Sequence, residues 1–212
     1  MPVTQPDGYL ALPTAGKGQA VLVLHPWWGL NNTIKAFTDR LAGEGFAAFA
    51  PDLYHGRVTN QIDEAEKLVT ALDGNADQAK KEIIEAVEFL KEKSGQSTIA
   101  VIGFSMGAYY ALDLSAAAPE TIHSVVIFYG SGPADFSKAK AEYLGHFAGS
   151  DPYEPLENVN GLEEDLKASG RTVTFYTYPN TGHWFAESDR ADAYDKAAAE
   201  LAWERTVAFL KR

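Results

Sequence analysis

The sequence predicts an α/β protein with a mostly parallel central sheet flanked by helices on both faces. Three observations predict it. Segments of strand character alternate with segments of helical period along nearly the whole chain. The strand-like runs are continuously apolar, as in Ala20-Val21-Leu22-Val23-Leu24, which suits strands buried on both faces. The apolar run Ser97 to Ile102 also passes directly through Gly103-Phe104-Ser105-Met106-Gly107 into a helical stretch, Ala108 to Ala118.

The elements follow in order. Gly8 to Pro13 reads as a short edge strand, and Ala20 to Leu24 as the first buried one. Asn31 to Gly45 has a helical period, with Ile34, Phe37 and Leu41 on one face and Asn32 or Thr33 as its cap. Phe46 to Ala50 is a strand ended by Pro51. Ile62 to Leu72 is a short helix, and Ala79, Ile83, Val87 and Leu90 define an amphipathic one. Thr98 to Ile102, His123 to Tyr129, Tyr143 to Ala148 and Thr172 to Tyr178 complete the strands. Leu156 to Ser169 is a helix stopped by Gly170. Ser188 is the expected cap of a long last helix carrying Tyr194, Leu201, Val207 and Leu210. Parallel pairing through right-handed crossovers follows from the alternation.

Composition bounds the function. A chain of 212 residues with 46% hydrophobic and 22% charged residues suits one globular domain, 1–212. A net charge of −11 leaves no excess of Lys and Arg to neutralise phosphates, so neither a nucleic acid nor an anionic membrane is an expected partner. With no cysteine, disulfides, thiolate metal sites and a cysteine nucleophile are excluded. MPVTQPDGYL lacks a basic segment followed by an apolar run, and no stretch has the length of a membrane span, so a cytoplasmic location is expected.

In parallel sheets of this kind the chemistry gathers beyond the carboxyl ends of the strands. A catalytic residue should therefore lie just after a strand. Ser105 does, in a strand–turn–helix context whose flanking glycines permit a very sharp turn. A serine needs an adjacent base, itself oriented by a carboxylate. Of five histidines, His183 follows the Thr172–Tyr178 strand and is the expected general base. His123 opens a strand at the opposite end, and His146 lies inside one as a satisfied, partly buried histidine. His25 and His55 follow strands but precede the serine. For the acid, Asp151 follows the Tyr143–Ala148 strand. Asp135 is the runner-up, Glu154 lies further into the same loop as Asp151, and Asp52 has turn-forming neighbours. The chain order Ser105, Asp151, His183 is that of an α/β-hydrolase. Backbone N–H groups of Met106 and Trp27 are the expected oxyanion donors, since Pro26 has none. Two adjacent tryptophans, Trp27 and Trp28, suit the wall of an apolar acyl pocket.

The motifs HPWWGLNN, GFAAFAPDLYHG, GFSMG, HFAGSDPYEP and TGHWFAES, in that order and spacing, resemble the dienelactone hydrolase family from about Gly18 to Arg212. The resemblance implies a compact α/β-hydrolase core with no large lid domain, and a triad at Ser105, Asp151 and His183. It also implies oxyanion donors at Trp27 and Met106. His25, Trp28, Tyr54 and Trp184 are the expected pocket residues. Three departures accompany it. Ser105 replaces the family's cysteine, and Pro26 stands where the family has a glutamate that controls that cysteine. Glu187 stands at the family's substrate-carboxylate arginine; a carboxylate there would repel an anionic substrate. The expectation is a serine hydrolase of a neutral ester or lactone, acting through an acyl-enzyme, with no metal or organic cofactor. Thioester or peptide hydrolysis by the same triad, and a non-catalytic binding module, are the alternatives.

Overall fold

A computed structural model describes residues 3–212; Met1 and Pro2, at the head of the N-terminal stretch considered above, lie outside it. Seven strands form one mostly parallel sheet in the order β1-β3-β2-β4-β5-β6-β7. The chain divides into two compact units, the first ending at Val101 and the second beginning at Ile102.

In the first unit β1 (Gly8–Ala11) runs antiparallel to β3 (Ala47–Pro51), with Gly8 opposite Pro51 and Ala11 opposite Ala48. β2 (Ala20–Leu24) pairs with β3 in parallel, Ala20 opposite Ala47. Every residue of β2 and β3 is buried, as their unbroken apolar runs require. Helix α1 (Asn32–Gly43) joins them. Its cap is Asn31, whose side chain accepts from the Ile34 N–H at 3.1 Å, one position before the expected Asn32 and two before Thr33. Helix α2 (Ile62–Asp73) rests on α3 (Ala76–Ser94), and α3 packs on β2 and β3. Phe49 of β3 and Phe89 of α3 meet edge to face at 5.0 Å. Helix α1 packs on β3 and β1.

Strand β4 (Ile99–Phe104) runs across the boundary and leads into Ser105. In the second unit follow α4 (Met106–Ala117), β5 (Ile122–Phe128), β6 (Glu142–Ala148), α5 (Leu156–Ala168), β7 (Val173–Tyr178) and α6 (Lys196–Leu210). β5, β6 and β7 pair in parallel, with Val125 opposite Tyr143 and Tyr143 opposite Val173. The strand period fixes the layers. Tyr143 points to α4, where its hydroxyl meets Ser115 Oγ at 2.8 Å. His146 points the other way, to α6, where Nε2 meets Thr206 Oγ1 at 3.0 Å. Its Nδ1 meets the Tyr178 hydroxyl at 2.8 Å. The histidine is wholly buried, and burial, with the Arg205 charge adding to it, pushes its pKa down to about 3. Its ring nitrogens are satisfied, as its place inside a strand suggested, but it is wholly rather than partly buried.

Ser188 does not cap the last helix. Residues 189–195 are turns and irregular chain, and Asp195 caps α6 by accepting from the Ala198 N–H at 2.9 Å. Among the described residues, no helix is long and apolar enough to cross a membrane.

Candidate active site

The site is built where β4, β5, β6 and β7 reach their carboxyl ends. Ser105 sits at φ 49°, ψ −113°, a backbone state that costs a non-glycine residue about 1–3 kcal/mol and persists only where its surroundings enforce it. They do so by crowding. A Cβ on Gly103 would lie 2.3 Å from the Gly107 carbonyl oxygen, and one on Gly130 would lie 2.5 Å from that of Ser105. Gly103 belongs to the motif; Gly130, which follows the β5 exit, does not, and only the fold shows that it makes room for the turn. The Ser105 N–H donates to the Phe128 carbonyl at 2.9 Å and so ties the turn to the end of β5. Met106 is the first residue of α4, where backbone N–H groups point along the positive end of the helix dipole.

The loops after β6 and β7 are bound to each other. The Gly149 N–H donates to the Tyr178 carbonyl at 2.8 Å, and the Ser150 N–H to that of Thr181 at 3.1 Å. This brings Asp151 and His183 together. His183 Nδ1 lies 2.7 Å from Asp151 Oδ2, and its Nε2 lies 2.9 Å from Ser105 Oγ. With a carboxylate at Nδ1, that nitrogen carries the proton and donates; Nε2 then accepts from the serine hydroxyl. The other oxygen of Asp151 accepts from the N–H groups of Tyr153 and Glu154 at 2.9 and 3.0 Å. The side chains of His183 and Asp151 are 5% and 2% exposed, so solvent scarcely competes for these bonds.

The structure does not bring the other candidate acids into this position. Asp135 is exposed and bound to Ser137 and Lys138, which hold its carboxyl below the usual range. Glu154 accepts from Ser131 Oγ at 2.9 Å, and burial raises its pKa. Asp52 closes a turn in the first unit, accepting from the N–H groups of Tyr54 and Gly56.

The aromatic surroundings of His183 are richer than the motifs suggested. Tyr129, Tyr153 and Trp184 place their rings 5.0, 5.1 and 5.0 Å from the imidazole. Tyr153 remains half exposed, while Tyr129 is wholly buried and Trp184 nearly so. Tyr129 stands at φ 37° and Trp184 at φ 66°, so the backbone is strained at two neighbours of His183 as well as at Ser105. Both Tyr129 and Tyr153 escaped the reading of the chain. Tyr129 directly follows β5, which ends at Phe128, but the apolar run read through it as part of the strand His123 to Tyr129, so looking just after the strands passed it over.

Position 187 corrects an expectation. Glu187 presents no carboxylate to a substrate: its side chain is wholly buried and accepts from the Tyr129 hydroxyl at 2.9 Å. Burial raises its pKa to about 8, opposed by the Tyr129 bond, so the group is neutral at pH 7. What stands of the argument is the missing cation: nothing at 187 attracts an anionic substrate.

His25, Trp28 and Tyr54, expected in the pocket, are at most 1% exposed. His25 commits both nitrogens to the backbone, Nδ1 donating to the Pro26 carbonyl at 2.7 Å and Nε2 accepting from the Leu53 N–H at 3.2 Å. It pins the loop after β2 to the loop after β3, a structural role that corrects the expectation of a ligand contact. Tyr54 meets His25 with its ring tilted at 60°, centroids 5.0 Å apart, and backs a cavity with Leu53, Leu68, Leu72 and Ala79. Trp27, half-buried in the turn after β2, meets Trp28 edge to face at 5.1 Å. Among the described residues, no group of three or more His, Asp or Glu is placed to hold a metal ion.

A turn-borne serine, a histidine and an aspartate at the carboxyl ends of a parallel sheet define the architecture of an α/β-hydrolase. The model of the dienelactone hydrolase family matches residues 7–212, and the chain belongs to that family. A protein of Aquifex pyrophilus named Protein usf is 34% identical, over 96% of this chain and 92% of its own. A protein of Aquifex aeolicus, provisionally named carboxymethylenebutenolidase, is 33% identical over the same shares. Among solved structures, a protein of Klebsiella pneumoniae provisionally described as a dienelactone hydrolase superimposes with a TM-score of 0.85. It is 23% identical, and the match covers 97% of this chain and 92% of that one. This last likeness is one of fold.

Proposed function

We propose that the protein hydrolyses a carboxylic ester or lactone through an acyl-enzyme on Ser105. The observation that carries the reading is the line of two hydrogen bonds, Ser105 Oγ to His183 Nε2 at 2.9 Å and His183 Nδ1 to Asp151 Oδ2 at 2.7 Å, set on a strained turn. Ser105 Oγ attacks the acyl carbon while its proton passes to His183 Nε2. The tetrahedral oxyanion forms beside the start of α4, where the Met106 N–H is the proposed donor. Collapse breaks the bond to the leaving alcohol, which takes the proton from His183. Water, deprotonated by the same nitrogen, then attacks the acyl-enzyme; the acid leaves and Ser105 Oγ regains its proton. Asp151 holds the imidazole in the required tautomer and stabilises the imidazolium formed in each half. The provisional name of the Aquifex aeolicus relative points to the same class of bond.

The test is labelling with a fluorophosphonate together with turnover of short-chain p-nitrophenyl esters. Wild type is expected to do both and Ser105→Ala neither. Full labelling of the alanine variant would remove Ser105 as nucleophile. Folded wild-type protein that neither labels nor turns over any ester would favour a binding module. Matched oxyester, thioester and amide substrates then rank the bond cleaved; a thioester turned over far faster than its oxyester would displace the ester reading.

A further inference from the structure

The second unit holds a buried polar pair that the proposed chemistry does not use. The Tyr129 hydroxyl donates to Glu187 Oε1 at 2.9 Å, and both residues are fully buried. The second carboxyl oxygen of Glu187 is buried without a hydrogen-bond partner. A carboxylate ion in such a place needs several donors, and leaving it with one is far costlier than burying the neutral acid. Glu187 thus behaves as a neutral acceptor. Its surroundings agree: Asp189 opposes ionisation and Arg190 favours it less than burial disfavours it.

The pair is aimed at the base. The Tyr129 ring lies 5.0 Å from that of His183, tilted at 57°, and 5.4 Å from that of Phe185. The Tyr129 backbone is held at φ 37°, with its N–H donating to the His146 carbonyl at 2.8 Å. A strained backbone, a wholly buried hydroxyl and an otherwise unused acid therefore converge on one imidazole. We propose that Tyr129 and Glu187 are a positioning pair for His183: Glu187 fixes the Tyr129 hydroxyl, and the Tyr129 ring holds the imidazole in the plane that reaches Ser105 and Asp151 together. This rests on the reading of His183 as general base. It also gives position 187 a role in this chain that needs no contact with substrate.

The test compares Tyr129→Phe, Glu187→Leu and Glu187→Gln with wild type. The readouts are ester kcat and KM, thermal stability, and the NMR signal of the His183 Nδ1 proton shared with Asp151. Gln keeps a carbonyl acceptor for the tyrosine hydroxyl; Leu and Phe delete one side of the bond. Tyr129→Phe and Glu187→Leu are expected to lower kcat about three- to tenfold with KM unchanged, the equivalent of one hydrogen bond. Both should shift or broaden the Nδ1 proton signal. Glu187→Gln should keep the signal and stay within about twofold of wild-type kcat. Wild-type kcat and an unmoved proton in Tyr129→Phe would overturn the proposal, and so would a Gln variant as impaired as Leu. If wild type turns over no ester, the general-base reading fails separately. The proton signal then decides the pair alone: a shift in Tyr129→Phe sustains it and an unmoved signal overturns it.

Discussion

Asp151→Asn is the substitution whose effect can be worked most closely from the geometry. One carboxyl oxygen of Asp151 accepts from two backbone N–H groups, those of Tyr153 and Glu154, and the other accepts from His183 Nδ1. Asparagine has one carbonyl oxygen for these two places. The two N–H donors claim it, because turning the amide round would point its NH2 at both of them and forfeit about 1 kcal/mol for each bond. The NH2 therefore faces His183, Nδ1 must accept, and the imidazole proton moves to Nε2. Ser105 Oγ, 2.9 Å away, then faces a donor instead of a base. Ester kcat is expected to fall by about 10⁴, or about 5.5 kcal/mol in the barrier, the scale seen when a triad aspartate is made an amide elsewhere. The assay is the rate of p-nitrophenyl acetate hydrolysis at pH 7.5, with a thermal melt to show the variant folded and Asp135→Asn as an exposed control. A folded Asp151→Asn enzyme within tenfold of wild type, on the order of 1.4 kcal/mol, would refute the tautomer argument.

Two further outcomes follow from the packing and the buried titratable groups. Gly130→Ala should lower stability by about 1–3 kcal/mol and lower kcat, because its Cβ would meet the Ser105 carbonyl at 2.5 Å and the Ala108 Cβ at 2.8 Å; an unchanged melting temperature would count against crowding as the device that holds the turn. Urea unfolding from pH 3.5 to 8.5 should show stability declining toward both ends of the range. His146 is neutral in the fold down to about pH 3 but protonates near 6.5 when unfolded, so its contribution is lost as the pH falls through that window. Glu187 stays neutral in the fold up to about pH 8 but ionises near 4.5 when unfolded, so stability falls as the pH rises through its window. The two slopes oppose each other where the windows overlap. Between pH 6.5 and 8 the Glu187 slope stands alone and amounts to about 2 kcal/mol. Glu187→Gln should abolish that alkaline decline, and a variant with the wild-type slope would show that the group titrates elsewhere.

The parallel core was legible because buried strands and amphipathic helices write their periods directly into the chain. Ala20–Leu24 and the Ala79, Ile83, Val87, Leu90 series became β2 and the buried face of α3. Ser105, Asp151 and His183 were legible for a related reason. Each follows a strand, and a parallel sheet delivers all its carboxyl ends to one edge. Helix ends were read less well, since Asn31, Asn32 and Thr33 offer similar capping oxygens, as do Ser188 and Asp195; tertiary packing chooses among them. What only the tertiary structure decided is which side chains face substrate and which face protein. His25 and Glu187 carry groups that suit a binding site; its place after a strand put His25 there, and the family resemblance put Glu187 there. The fold instead gives both nitrogens of His25 to backbone atoms and buries Glu187 against Tyr129. Burial, and with it the protonation state of a carboxyl, depends on neighbours brought from 58 residues away, and no local pattern in the chain encodes that distance.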